Sequence, residues 1–270
     1  MSRVIVTLTT IPSRLSNEIE EGIKLCINSL VNQDYDNYEI HFNIPYKNNF
    51  LNQEYVIPEW LTEKRVQIYR TEDLGPVTKL VPTLERSNNP EDIIIVVDDD
   101  LVYHKDMIKE QVSNQKKWLE ESVGYDGLRS RDEEGNFSKH FGDVRDYYYT
   151  SNYRNSRVDI LQHYKSVSYK RRYFSDDFFE FVKKYHSWAD DILLAAYMSY
   201  KKIDRIATYH PNDPQFTSHQ EWIDKGGVLT FPILRNIHHE RMEGCNVYRT
   251  EKIDDNGGEL YKFIDNGYRK

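Results

Sequence analysis

Apolar positions along this chain follow two rhythms and one unbroken block. The block is Ile93 to Val97, three isoleucines and two valines in a row. A short β-branched run of this kind predicts a strand buried on both faces, as found inside parallel sheets. Alternation with period two marks Arg3 to Thr10 (R-V-I-V-T-L-T-T) and Tyr38 to Ile44 as strands, each followed by a proline, Pro12 and Pro45. Between them Ile19, Ile23, Cys26, Ile27 and Leu30 recur at helical spacing, predicting an amphipathic helix from Ser16. Strand, helix and strand before Pro45 open an α/β, nucleotide-binding type of sheet.

The same rhythms continue downstream. Val66 to Tyr69 predicts a third strand, Gly75-Pro76 a turn, and Lys79 to Leu84 a short helix despite Pro82. His104 to Glu121 predicts a helix with Met107, Ile108, Val112, Gln115 and Leu119 inward. Residues 122–156 are polar and Tyr-rich, which predicts a long functional loop walling the site. Val158 to Tyr169 supplies one or two strands, and helices start at Ser175 and at S-W-A-D-D-I-L-L-A-A-Y-M. From Ile203 short strands and turns follow, and the last twenty residues form a peripheral tail, so a domain over 1–250 and a tail over 251–270 are expected.

Carboxylates change this picture from fold to chemistry. Asp98, Asp99 and Asp100 follow the apolar block at once, at the carboxyl end of a central strand, where open α/β sheets place ligands. Adjacent strand residues point to opposite sides, so Asp98 and Asp100 share one site and Asp99 faces away. Two like charges so placed call for a cation or hydrogen-bond donors, and Mg²⁺ or Mn²⁺ bridging carboxylate to phosphate fits; a solvated acidic turn is the plain alternative. A second pair, Asp190 and Asp191, opens the late helix, where one carboxylate suits the helix dipole better than two. Lys79 sits near a helix start, placed for a phosphate or for solvent.

Composition narrows the partners. A net charge of −8 without a dense basic block beyond Lys170, Arg171 and Arg172 argues against nucleic acid. The 21 tyrosines suit carbohydrate stacking as well as core filling. Two cysteines, Cys26 and Cys245, argue against a disulfide framework and favour a reducing compartment. A first strand starting by Val4 leaves no room for a signal peptide, and no apolar run nears the ~18 residues of a membrane span. A soluble, cytoplasmic protein is expected.

Four stretches in order, V-T-L-T-T-I-P-S-R, D-L-G-P-V-T-K-L, V-V-D-D-D and A-D-D-I-L-L-A, resemble the glycosyltransferases of the GT-A fold, in particular the small enzymes of large DNA viruses and some bacteria, including a rhamnosyltransferase-like domain of a chlorovirus protein. The likeness spans roughly residues 3–206. It implies a single Rossmann-like α/β domain with a mainly parallel central sheet flanked by helices, and a metal-dependent, inverting sugar transfer from a nucleotide-diphosphate sugar, UDP-linked, to a glycan or glycoprotein acceptor. It places Asp98 near the ribose and Asp100 on Mn²⁺ or Mg²⁺, with His238 or His239 completing the metal or pyrophosphate site; Asp99, grouped with the nucleotide-binding residues, is expected to serve as a local hydrogen-bond acceptor. Thr9, Ile11 and Arg14 would contact the nucleotide, Asp73 and Lys79 the base and phosphates, and Asp191, with Asp190 as alternate, would be the general base. If the chain is viral, host cytoplasm is implied.

One departure stands out. Where the family carries a small, Gly-rich turn, this chain has L-Q-H-Y-K-S-V-S-Y-K-R-R from Leu161 to Arg172; side chains there deny the close backbone approach that Gly permits, so a reshaped donor pocket is expected. Two rivals stay open: a nucleotidyltransferase or phosphohydrolase, against which stands the absence of G-x-x-x-x-G-K and D-x-D-x-T patterns, and a catalytically silent sugar-binding module.

Overall fold

The computed structural model describes residues 2–15, 20–62, 65–128, 155–185, 189–208, 229–230, 260 and 262–264. The strands of its central sheet are β1 (Val4–Leu8), β2 (Glu39–Pro45), β3 (Gln67–Thr71), β4 (Ile93–Val96), β5 (Ser122–Gly124), β6 (Ser156–Arg157), β7 (Val167–Lys170) and β8 (Arg205–Ala207). They form one sheet in the order β6-β8-β5-β7-β4-β1-β2-β3. Pairings β4–β1, β1–β2, β2–β3 and β5–β8 are parallel, while β7 runs antiparallel between β4 and β5, and β6 antiparallel to β8. Among the described residues the helices longer than one turn and a half are α1 (Glu20–Val31), α2 (Val81–Arg86), α3 (Met107–Lys117), α4 (Asp177–Tyr185) and α5 (Asp190–Tyr200). The chain is thus an α/β protein with a mainly parallel, eight-stranded central sheet flanked by helices.

The unbroken apolar block explains the layering. Successive residues of β4 point to opposite faces, so Ile94 and Val96 join one core cluster with Leu84 of α2, Phe178 of α4 and Leu193 of α5. Ile93, Ile95 and Val97 join the other, with Ile23, Ile27 and Leu30 of α1 and Met107, Ile108 and Val112 of α3. Each such side chain fully removed from water contributes roughly 1.5–3 kcal/mol. Pro82 stands at the second position of α2, where a missing backbone N–H leaves no bond broken.

Three stretches differ from the sequence expectation. The strand ends at Val96, and the backbone bends at Asp99 and Asp100 instead of continuing the pleat. Helix α3 stops at Lys117, capped by Trp118, so Leu119 lies past the last turn and is exposed instead of inward. The segment read as loop from 122 begins with a core strand: only Val123 of β5 is a large apolar residue, but the backbone of Ser122 bonds Asp204 O at 3.0 Å and Ser122 is fully buried. Gly127–Leu128 then pairs with Ile160–Leu161, and residues 129–154 of the expected wall lie outside the described residues. In the segment expected as a tail, Leu260 and Ile264 are buried in the α4–α5 cluster and Phe263 stacks edge-on against Phe181 at 5.5 Å. No described helix is long and apolar enough to cross a membrane.

Candidate active site

Parallel neighbours β1 and β4 end side by side, so the residues following Leu8 and Val96 emerge at the same edge of the sheet. There a cleft of about 300 Å³ is lined by Thr9, Thr10, Ile11, Arg14, Asn48, Tyr55, Asp73, Gly75, Pro76, Lys79, Asp98, Asp99, Asp100, Asp190 and Asp191. Ten of the residues singled out in the sequence, from Thr9 to Asp191, share this one cavity; His238 and His239 lie outside the described residues.

Arg14 reaches the triplet because the chain after β1 tightens into a 3₁₀ turn, Pro12–Leu15, closed by Arg14 N–H to Ile11 O at 3.1 Å. Its guanidinium pairs with Asp99 and, at 3.0 Å, with Asp100 Oδ2. Burial alone would lower the Arg14 pKa, but Asp99, Asp100 and Asp98 outweigh it and raise it above the usual value. Asp99 therefore does not face away from the site. It lines the same cleft and accepts from Thr10 Oγ1 as well as Arg14, because side-chain alternation belongs to extended backbone and the backbone here bends.

Lys79 is held from behind. Its carbonyl accepts from Thr7 Oγ1 of β1 and, at 3.1 Å, from Asn43 Nδ2 of β2, within a fully buried polar cluster that includes Thr83. Its ammonium lies between the two acidic sets, donating to Asp98 Oδ1 and standing 2.9 Å from Asp190 Oδ2. Desolvation works to neutralise it, but Asp190, Asp98 and Asp191 hold its pKa well above the ordinary range.

Neither Asp190 nor Asp191 caps α5 through its side chain, since Ala189 occupies the cap without a side-chain bond. They differ sharply from each other. Asp190 Oδ2 is buried against Lys79 and lies 3.0 Å from His163 Nδ1, an ion-pair approach without hydrogen-bond alignment. Burial would raise its pKa, yet Lys79 and His163 drive it far below the usual carboxylate range. Asp191 is more open, its side chain 31% exposed against 12% for Asp190. Its Oδ1 takes the backbone N–H of His163 at 3.1 Å and contacts His163 Nδ1. The ligand atoms of His163, Asp190 and Asp191 lie within 4.8 Å of one another and could hold a metal ion by spacing, although the Lys79 ammonium already occupies one flank.

Asp73 serves the loop that carries it: Oδ1 accepts Gly75 N–H at 2.9 Å and Oδ2 accepts Asn49 N–H at 2.7 Å. Gly75, at φ 70°, takes the left-handed turn that delivers Lys79.

Sequence reasoning missed His163, Tyr55, Asn48 and the Thr7–Asn43–Thr83 cluster. Tyr55 donates to Thr10 O at 2.9 Å and accepts from Asn48 Nδ2, tying the short antiparallel pair Lys47–Asn48 and Gln53–Glu54 to the β1 loop. His163 fell in the stretch expected to obstruct the pocket; it is instead 1% exposed and lies behind the Asp190–Asp191 pair, outside the cleft lining. Its Nε2 meets Tyr169 Oη at 2.8 Å. The only sequence signal was a His six residues before a Tyr on a strand, which carries no chemistry until the fold closes it onto α5.

No family model and no curated protein matches this chain. Among solved structures, S. aureus TarS is similar over 76% of this chain and 35% of its own length, with 14% identity and a TM-score of 0.45. TarS 1-349 in complex with UDP-GlcNAc is similar over 77% of this chain and 56% of its own length, with 14% identity and a TM-score of 0.44. A 4-diphosphocytidyl-2C-methyl-D-erythritol synthase from Anaerococcus prevotii is similar over 83% and 95%, with 10% identity and a TM-score of 0.44. This chain therefore spans about a third to three-fifths of the TarS chains it resembles, and at such identities and TM-scores these likenesses assign no activity to it.

Proposed function

We propose that the chain is a metal-dependent, inverting glycosyltransferase of the GT-A type that moves a sugar from a UDP-linked donor to a hydroxyl of a glycan or glycoprotein acceptor. One observation carries this: Lys79 bridges Asp98 at the end of β4 and Asp190 at the start of α5, so the two acidic sets, distant in sequence, border one cleft. Asp98 and Asp100 are oxygen donors at the cleft lining whose present partners are cationic, a donor set that fits a hard divalent ion such as Mg²⁺ or Mn²⁺. Bound there, the ion supplies neutralisation of the charge that develops on the departing diphosphate. Thr9, Ile11 and Arg14 border the nucleotide end, and Lys79 meets the phosphates.

Asp191 is assigned as base over Asp190. A base must be open to the acceptor and able to take a proton, and Asp190 is buried with its pKa driven down by Lys79 and His163. In the transfer, the acceptor oxygen forms a bond to the anomeric carbon as its proton passes to Asp191. The bond from that carbon to the diphosphate oxygen breaks with its electron pair leaving on the diphosphate, through an oxocarbenium-like state.

The decisive experiment is titration calorimetry with UDP and Mn²⁺ followed by turnover on a panel of UDP-sugars. Asp191→Asn is expected to bind UDP as the parent does while transfer drops at least 100-fold, and Asp100→Ala to lose the Mn²⁺ dependence of UDP binding. Normal transfer by Asp191→Asn would move the base elsewhere. UDP binding without turnover of any donor, acceptors included, would replace the enzyme reading with that of a binding module.

A further inference from the structure

Resting on that assignment of Asp191, we propose that His163 is the positioning residue of the base: it grips Asp191 Oδ1 and leaves Oδ2 as the atom that receives the proton. The contact has two parts: the backbone N–H donates to Oδ1 at 3.1 Å, and ring Nδ1 lies in ion-pair contact with the same oxygen without hydrogen-bond alignment. Among the described residues Asp191 Oδ2 has no such partner. A carboxylate fixed through one oxygen cannot swing about its χ2 bond, and a base already oriented toward the acceptor saves the reaction the entropy of finding that orientation.

The ring is also held from behind. Nε2 is 2.8 Å from Tyr169 Oη, on β7 next to the central strand, and Tyr169 is buried and packed edge-on against Phe174 at 5.5 Å. Backbone geometry adds a third restraint. The turn His163–Lys165 is closed by Ser166 N–H to His163 O at 2.9 Å, and Ser166 stands at φ 99° with Gln111 Nε2 on its hydroxyl at 2.7 Å. The charged and titratable groups facing the ring are Asp190 and Asp191 from α5 and Tyr169 from β7, with Lys79 beyond Asp190. Burial would push the imidazole toward neutrality, but Tyr169, Asp191 and Asp190 raise its pKa well above the usual value. Lys79 and His163 both stand against Asp190 Oδ2, at 2.9 and 3.0 Å, which leaves Asp190 the enclosed carboxylate of the pair and Asp191 the open one.

The test uses the full chain and two readouts. In ¹⁵N-histidine-labelled protein, with the His163 signals assigned by their loss in His163→Gln, Asp191→Asn is expected to displace both His163 ring nitrogens while Asp98→Asn leaves them in place. Unmoved His163 signals in Asp191→Asn overturn the proposal whether or not turnover is seen. In UDP-sugar turnover, His163→Leu is expected to lower kcat roughly 10- to 100-fold with UDP affinity within about twofold of the parent, and His163→Gln, which keeps a donor, to recover part of the loss. An unchanged kcat overturns the proposal. Should His163→Leu fail to fold, Tyr169→Phe removes only the ring's rear partner and is expected to lower kcat severalfold at constant UDP affinity. If His163→Leu, rather than Asp100→Ala, abolishes Mn²⁺ binding, His163 is a ligand and the positioning role falls. A parent protein that turns over no donor sinks the transferase reading, while the ring signals still judge the clamp.

Discussion

Lys79 Nζ lies 2.9 Å from Asp190 Oδ2 and also donates to Asp98, and among buried groups such pairs persist because each ion offsets the desolvation of the other. The pH dependence of stability follows from the directions of the shifts. Asp190 has a folded pKa far below its unfolded value of about 3.9, so its contribution is present above that value and fades as pH falls through it toward the folded pKa. His163 is shifted upward, so its contribution is complete below about pH 6.5 and fades only as pH rises through the folded pKa. Asp190→Asn should therefore flatten the acid side. Urea unfolding between pH 4 and 2.5 is expected to show the variant losing stability less steeply than the parent, by up to about 1.4 kcal/mol per pH unit. Near neutral pH the variant should be about 3 kcal/mol less stable, at the low end for a broken buried pair because Lys79 keeps Asp98 and His163 keeps Asp191. Parallel acid limbs would show that Asp190 is not ionised in the fold.

At the scale of elements, the turn between Ile160–Leu161 and β7 departs most from local preference. Ser166 at φ 99° and ψ 139° sits where essentially only glycine is at ease, at a cost of about 1–3 kcal/mol. Ser166→Gly removes that strain and loses the hydroxyl bond from Gln111, about 1 kcal/mol, while Gln111 keeps the Ser166 carbonyl at 3.2 Å. Strain relief is the larger effect, so Ser166→Gly should raise stability by about 1 kcal/mol and Ser166→Ala, which keeps the strain and drops the bond, should lower it by about as much. Denaturant midpoints check the sign. Periodicity made the regular elements readable, from β1 and β2 to the start of α5, because apolar side chains there answer to one sheet face or one helix face. It could not reach this turn, where a serine takes a backbone that its sequence does not advertise, nor the bend after Val96 that brings Asp99 to the cleft. Strand β5 was hidden for a related reason: Ser122 and Gly124 are buried by their neighbours, not by their own hydrophobicity.

Across the whole molecule, the candidate site was legible as separate motifs, since each acidic or basic cluster stands at the end of a predictable element; what joins them, the Lys79 bridge and the His163 clamp, exists only once β4, β7 and α5 pack together. The assembled cleft has a charge problem that the chain does not solve alone. Asp73, Asp98, Asp99, Asp100, Asp190 and Asp191 line it against Arg14 and Lys79, with His163 behind the pair, and the chain as a whole carries −8. A diphosphate entering such a cleft without a cation meets net repulsion, and both cationic side chains must be drawn from carboxylates they already neutralise. UDP affinity is therefore expected to rise at least tenfold with Mn²⁺, and cation-free binding to strengthen as NaCl is raised from 20 to about 200 mM, because salt shortens the range of the repulsion. Chelex-treated protein titrated with UDP at the two salt concentrations decides it. Cation-free binding that is tight at low salt and weakens as salt rises would mean that Arg14 and Lys79 suffice for the phosphates, and the divalent ion would lose its place in the site.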